Sequence, residues 1–172
     1  RSAARGLAHA ARLAYLSGMS ELQTRGFFAV GAEGISKPMN LGALIRTAHA
    51  FGAGFVFLVD AYYAVRDALS DTSRAERQLP IYEYPDAASL VLPKGCQLVG
   101  VEVVDEAIPL PSFRHPLAAA YVFGSERGEL SPAMLARCAF VVRIPMRFCV
   151  NLAVAGAIVM YDRYLCTAGK ET

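Results

Sequence analysis

The side chains with chemical potential in this chain gather in three stretches. "NLGALIRTAHAFGA" (40–53) carries Asn40, Arg46 and His49. On a helix, Gly42, Arg46 and His49 share one stripe, at spacings of four and three. "YVFGSERGELSPAML" (121–135) carries Gly124, Glu126 and Arg127, and "IPMRFCVNLAVAGAIVMYDRYL" (144–165) sets Cys149 and Asn151 inside an apolar run. An arginine stays protonated at ordinary pH, so Arg46 suits an anion clamp, or a stem lying over an apolar helix with its head in water. His49 has a pKa suited to proton transfer near neutrality, although a lone histidine is more often structural. Glu126, following Gly124 in a turn, suits loop amides or a neighbouring arginine. Asn151 precedes a helical pattern and suits its N-cap.

Other chemistries are disfavoured. The four cysteines, Cys96, Cys138, Cys149 and Cys166, form no C-x-x-C pair and have no histidine cluster beside them. A zinc site is not expected, and a reduced chain without metal is the natural reading. No G-x-G-x-x-G follows the first strand pattern, and no G-x-x-x-x-G-K-[ST] occurs, so dinucleotide and P-loop chemistry are disfavoured. The chain has 172 residues, 55% of them hydrophobic and 19% charged, which suits one domain with a large core or with one face covered by a partner. A net charge of +2 neither marks nor excludes a nucleic-acid partner, because clustering on a face decides that. No apolar run reaches the roughly 20 residues a bilayer demands, so no membrane partner and a cytoplasmic location are expected. Residues 1–26 read as a leader outside the domain. Their first part is arginine- and alanine-bearing but lacks an apolar signal core, and Met19-Ser20 offers an alternative start.

The elements that must position these groups alternate between strand and helix. Strands are predicted at 27–32, 55–60, 81–84, 97–104, 118–124 and 140–145. Helices are predicted from Asn40, as cap, over 41–53; over "DAASLVL" (86–92); from Ser131-Pro132; and over Leu152–Leu165. Continuously apolar strands between helices define an α/β domain, 27–168, with a mostly parallel sheet and helices on both faces. Ligands of such sheets bind beyond the carboxyl ends of the strands. Glu102 and Val103 lie at one such end, Gly124 and Glu126 at another, and Ile144 with Met146 at a third. The last helix is apolar nearly all round, with Ala153, Gly156, Ala157 and Met160 on neighbouring turns. It is read as part core and part contact with a second copy.

Taken together, in this order and spacing, the three stretches resemble the three motifs of the SPOUT RNA methyltransferases, in the TrmH/SpoU-like branch that methylates ribose 2′-hydroxyls. The resemblance spans nearly everything from Phe27 to Leu165. It implies a C-terminal deep trefoil knot, which no strand pattern would suggest. It also implies a homodimer, S-adenosyl-L-methionine as cofactor, and tRNA or rRNA as substrate. By matching position, Gly124, Ile144, Cys149 and Val150 line the cofactor pocket. Met146 and Asn151 belong to the same loop, and Glu102 and Val103 are placed against the cofactor's ribose and thioether. Asn40, Arg46 and Glu126 fall on polar positions of the motifs. Two features depart from the pattern. Cys149 stands where the family usually has serine, and the connection from "IPM" to the Asn motif is shorter than in many relatives.

The reaction that the resemblance implies needs geometry and proton removal. The sulfonium methyl is already activated, whereas a ribose hydroxyl is a poor nucleophile until its proton leaves. Arg46 would clamp the phosphate beside the target ribose and stabilise the developing alkoxide. Arg127 and Arg147 flank the motifs and are the further candidates for RNA phosphates. Arg66, Arg74, Arg77 and Arg114 are weaker ones. The rival reading is a dimeric RNA-binding module of the same fold without activity. The presence of Arg46, Asn40 and Asn151 speaks against it.

Overall fold

A computed structural model describes residues 26–62, 79–125 and 128–168. Among these, seven strands form one sheet: β1 (Phe27–Glu33), β2 (Val56–Val59), β3 (Ile81–Tyr84), β4 (Gln97–Val101), β5 (Ile108–Pro109), β6 (Ala118–Phe123) and β7 (Phe140–Arg143). Their spatial order is β3-β2-β1-β6-β4-β7-β5, and every neighbouring pair runs parallel. Three α-helices accompany them, α1 (Pro38–Ala50), α2 (Pro132–Leu135) and α3 (Leu152–Ala168), with a 3₁₀ turn at Leu110–Ser112.

The two-residue alternation of the strands builds two cores. Phe28, Val30 and Ala32 of β1 face one way, with Tyr121 and Phe123 of β6, Val99 of β4 and Val142 of β7. They pack against Leu41, Leu44, Ile45 and Ala48 of α1 and Leu152, Ala153, Val159 and Met160 of α3. The opposite face buries Ala29, Phe57, Val59, Leu98, Ala120 and Val122 under Leu90, Leu130 and Met134. The two long helices thus share one face. Among the described residues, the other is covered by the short helix α2, through Met134, and by irregular chain. The last helix lies against α1. A Cβ at Gly156 would meet Leu44 Cδ1 at 2.6 Å, so Gly156 belongs to the core side of the helix.

Several predicted boundaries shift for local reasons. Asn40 is not the cap of α1. Lys37, extended at φ −118° and ψ 112°, holds that place without a side-chain bond, and Pro38 opens the helix with its preset φ. Residues 86–92 form no helix. The Asp86 carboxylate accepts bonds from the Ser89 N–H (2.7 Å) and hydroxyl (2.6 Å), closing a single turn, and the Ala87 and Leu90 carbonyls accept from the Arg137 guanidinium instead of from a following helical turn. The strand predicted at 97–104 stops at Val101, because Glu102 turns its carboxylate onto the next backbone amide. β5 is a two-residue edge strand ending in proline, too short for a pattern to reveal. The predicted leader lies almost wholly outside the described residues, as do Arg66, Arg74 and Arg77.

Candidate active site

Beyond the carboxyl ends of β4, β6 and β7 lies a cavity of about 930 Å³. Its wall includes Val101, Glu102 and Val103 after β4, Phe123 and Gly124 after β6, and Ile144 and Met146 after β7. Cys149, Val150, Asn151 and Leu152 lead into α3, and Asn40 of α1 closes the wall. Ligand sites in open parallel sheets lie at such ends because the connecting loops there are free to carry side chains.

Three anchors shape the cavity. The Asn151 Nδ2 amide donates to Asn40 Oδ1 at 2.6 Å, joining residues 111 apart in sequence. Asn151 Oδ1 at the same time accepts from the Ala153 N–H at 2.8 Å, one of the donors a helix start leaves orphaned. One side chain therefore caps α3 and ties the 144–151 segment to α1. Glu102 is the second anchor. Its oxygens accept from the Val103 N–H (2.8 Å) and the Leu130 N–H (2.9 Å), drawing the segment after β6 against the end of β4. The third is Glu33 at the end of β1, which accepts from the Ser131 N–H (2.8 Å) and hydroxyl (2.7 Å). Ser131 Oγ in turn accepts from the Met134 N–H at 3.1 Å and caps α2.

Gly124 lies where this closeness leaves little room for a side chain. A Cβ there would lie 3.0 Å from Gly128 O and 3.1 Å from both Glu102 Oε2 and the Leu130 nitrogen.

The predicted site residues divide into three groups. Asn40, Glu102, Val103, Gly124, Ile144, Met146, Cys149, Val150 and Asn151 all line the one cavity. Arg46 and Arg147 are exposed and outside its wall. Glu126 and Arg127 lie outside the described residues. Lys37, Ser125 and Glu129 also line the cavity, and the sequence reading did not single them out. Lys37 had a usable signal, standing three residues before Asn40 in the connection leaving the first strand. The clamp of Glu33 on Ser131 had none, since it spans 98 residues with no spacing rule.

The wall is chemically mixed. Val101, Ile144, Leu152 and Ala155 are apolar, whereas Lys37, Glu102 and Glu129 are charged. Residues 144–151 belong to no helix or strand, so their backbone groups are not committed to a ladder. The volume falls in the range of small-molecule sites, and an apolar wall with a few polar groups suits a small organic ligand.

A parallel α/β sheet with one cavity at its carboxyl edge defines a class of ligand-binding domains. The particular family follows from comparison with known proteins. Residues 28–161 match the SpoU rRNA Methylase family, and the chain belongs to it. It is 29% identical over 138 residues to the mouse tRNA (guanosine(18)-2′-O)-methyltransferase TARBP1, which covers 74% of this chain and 9% of that protein. It is 28% identical over 140 residues to a Staphylococcus haemolyticus protein named for the TrmH family of tRNA/rRNA methyltransferases, covering 77% and 56%. The chain thus spans about half the length of one curated relative and under a tenth of the other. A structure that describes the 2-OH methylation of C/U34 on tRNA superposes with a TM-score of 0.70 at 25% identity, covering 85% of this chain and 99% of that one. The AdoMet-bound rRNA methyltransferase of Sinorhizobium meliloti superposes at 0.71 with 22% identity, over 81% and 56%, a likeness of fold.

Proposed function

We propose that this chain transfers a methyl group from S-adenosyl-L-methionine to a ribose 2′-hydroxyl of tRNA or rRNA. The observation that carries the reading is the cavity beyond β4, β6 and β7, whose wall holds Asn40 and all eight residues expected at the cofactor. Family membership and the activities for which TARBP1 and the other relatives are named support it.

When bound, the cofactor supplies an activated sulfonium methyl. The chain's own residues do the rest. Val101, Ile144, Leu152 and Ala155 exclude water, and the backbone of 144–150 offers donors and acceptors to the adenine edge. Asn151 and Glu102 hold the two flanking segments in place through the bonds described above. Arg46 stands outside the wall, on the exposed side of α1. That position suits a group that engages the RNA and not the cofactor: it clamps a phosphate beside the target ribose and stabilises charge on the 2′-oxygen, whose proton passes to solvent as the methyl group is transferred. Arg147 extends the phosphate contacts, and Arg127, outside the described residues, is the other candidate.

The same reading includes a homodimer, a C-terminal trefoil knot through the 144–151 segment, a domain of 27–168 and a cytoplasmic setting. Among the described residues no helix is long and apolar enough to cross a membrane. An exposed apolar stripe on α3, formed by Val154, Tyr161 and Leu165, supports the second copy.

The test is single-turnover methylation of unmodified tRNA and rRNA with saturating cofactor, read as 2′-O-methyl nucleotides, with calorimetry on each variant. Arg46→Ala should lower the rate about a hundredfold or more and leave cofactor affinity unchanged. Arg46→Lys should recover little, because an ammonium lacks the guanidinium fork. An absence of cofactor binding at millimolar concentration, with RNA still bound, would replace this reading with an inactive RNA-binding module.

A further inference from the structure

At the opposite end of the sheet from the cavity, a second group of reactive side chains converges. His115 lies in the chain leading into β6, and Asp162 and Cys166 lie one turn apart on α3. His115 Nε2 is 2.8 Å from Asp162 Oδ2, and Cys166 Sγ is 3.9 Å from the same oxygen. One ligand atom from each of the three lies within 4.8 Å of the others. The other ring nitrogen, His115 Nδ1, is 2.6 Å from the Tyr121 hydroxyl, which accepts from Arg163 at 3.3 Å. The His115 side chain is fully buried, that of Asp162 is 23% exposed, and Cys166 is open to solvent.

We propose that His115, Asp162 and Cys166 form a three-ligand site for a divalent transition metal, zinc above all, that staples the C-terminal half of α3 to the chain entering β6. Nitrogen, carboxylate and thiolate on one centre is a donor set zinc accepts, at bond lengths near 2.0–2.3 Å. Such bonds at tetrahedral angles separate neighbouring donors by about 3.3–3.8 Å. The separations found bracket that spacing, so a side-chain adjustment closes the site without backbone movement. The fourth position faces the solvent beside Cys166. The buried imidazole is already oriented by a group on its far nitrogen, as metal-bound histidines are. The region is also held together without metal: Arg163, itself buried, donates to Pro116 O at 2.6 Å and Leu117 O at 3.0 Å. The backbone that carries the three ligands is therefore held in place without the metal.

The proton balance is explicit. In the metal-free state Nε2–H donates to Asp162 and Nδ1 accepts from Tyr121. On binding, the ring changes tautomer, with Nδ1–H now donating to the Tyr121 oxygen. The thiol gives its proton to solvent. The carboxylate and thiolate cancel the metal's two charges, so the nearby Arg163 is not opposed by a net cation. Nothing here depends on the methyltransferase reading, and catalysis need not change.

The test is titration of the full, metal-free chain with cobalt(II), followed by zinc competition against a chromophoric chelator. One cobalt per chain with a thiolate-to-metal charge-transfer band is expected, displaced by zinc. Cys166→Ser, a change at an exposed position, should abolish the band. Cys149→Ser should retain it. Tyr121→Phe should weaken zinc affinity about 10–100-fold through loss of the outer bond. Absence of a thiolate band, or its survival in Cys166→Ser, would overturn the proposal and leave a purely hydrogen-bonded cluster.

Discussion

At the scale of single residues, the junction between β7 and α3 rests on one asparagine used twice. Asn151 caps α3 with its oxygen and reaches Asn40 with its nitrogen. Asn151→Ala should cost about 2 kcal/mol, from the lost cap and from the buried Asn40 left without this donor. A double-mutant cycle with Asn40→Ala, followed by urea denaturation, should return a coupling of about 1 kcal/mol, and additive losses would mean that the pair is not coupled. The thiols give a second test. Burial pushes the Cys96 thiol up and the Cys138 thiol to about 11, whereas Cys149 and Cys166 are exposed. In metal-free protein, iodoacetamide should therefore label Cys149 and Cys166 well before the other two, as peptide mass mapping would read. An adduct on Cys149 occupies the cavity wall, so labelled Cys166→Ser protein should lose cofactor binding, and prior saturation with cofactor should slow the labelling.

At the scale of elements, two carboxylates fasten the segment after β6 at different places. Glu102 holds Leu130 beside the cavity, and Glu33 holds Ser131 on the side of β1. Glu102→Gln keeps one acceptor and loses the other, at about 1.5 kcal/mol for a bond to a charged group. Because that bond shapes the wall, cofactor Kd should rise about tenfold. Glu33→Gln should cost similar stability with a smaller effect on Kd, and equal effects from both would deny Glu102 its special place. These clamps also mark what a sequence can disclose. The runs 27–32 and 55–60 announce buried parallel strands because both faces demand apolar side chains, and they fold so. The motif stretches announce the cavity because their chemistry is local to each loop. "DAASLVL" misleads because its period is helical while the remote Arg137 takes the Ala87 and Leu90 carbonyls. The bonds of Glu33 and Glu102 to remote amides leave no local trace at all, so the segment they hold reads as an ordinary turn.

At the scale of the whole molecule, α3 is asked to serve two surfaces. Its inner side packs on α1, with Gly156 against Leu44, and replacing Gly156 by valine or leucine should overpack that contact at a cost of roughly 1–3 kcal/mol. Its outer side carries Val154, Tyr161 and Leu165, about half exposed at 48%, 54% and 53%, spaced so that all three fall on one stripe. A stripe of that kind on a surface helix is costly to leave in water and suits an interface. The two surfaces make separable predictions. Gly156→Leu should lower the denaturation midpoint at every protein concentration, because the clash is within one chain. Tyr161→Glu with Leu165→Glu should leave the fold's circular dichroism intact and convert a dimer to a monomer by sedimentation, since a charge there has water in the monomer and none in the pair. If the unaltered chain sediments as a monomer at micromolar concentration, the homodimer is wrong. If the double variant remains dimeric, the second copy sits elsewhere than on this stripe.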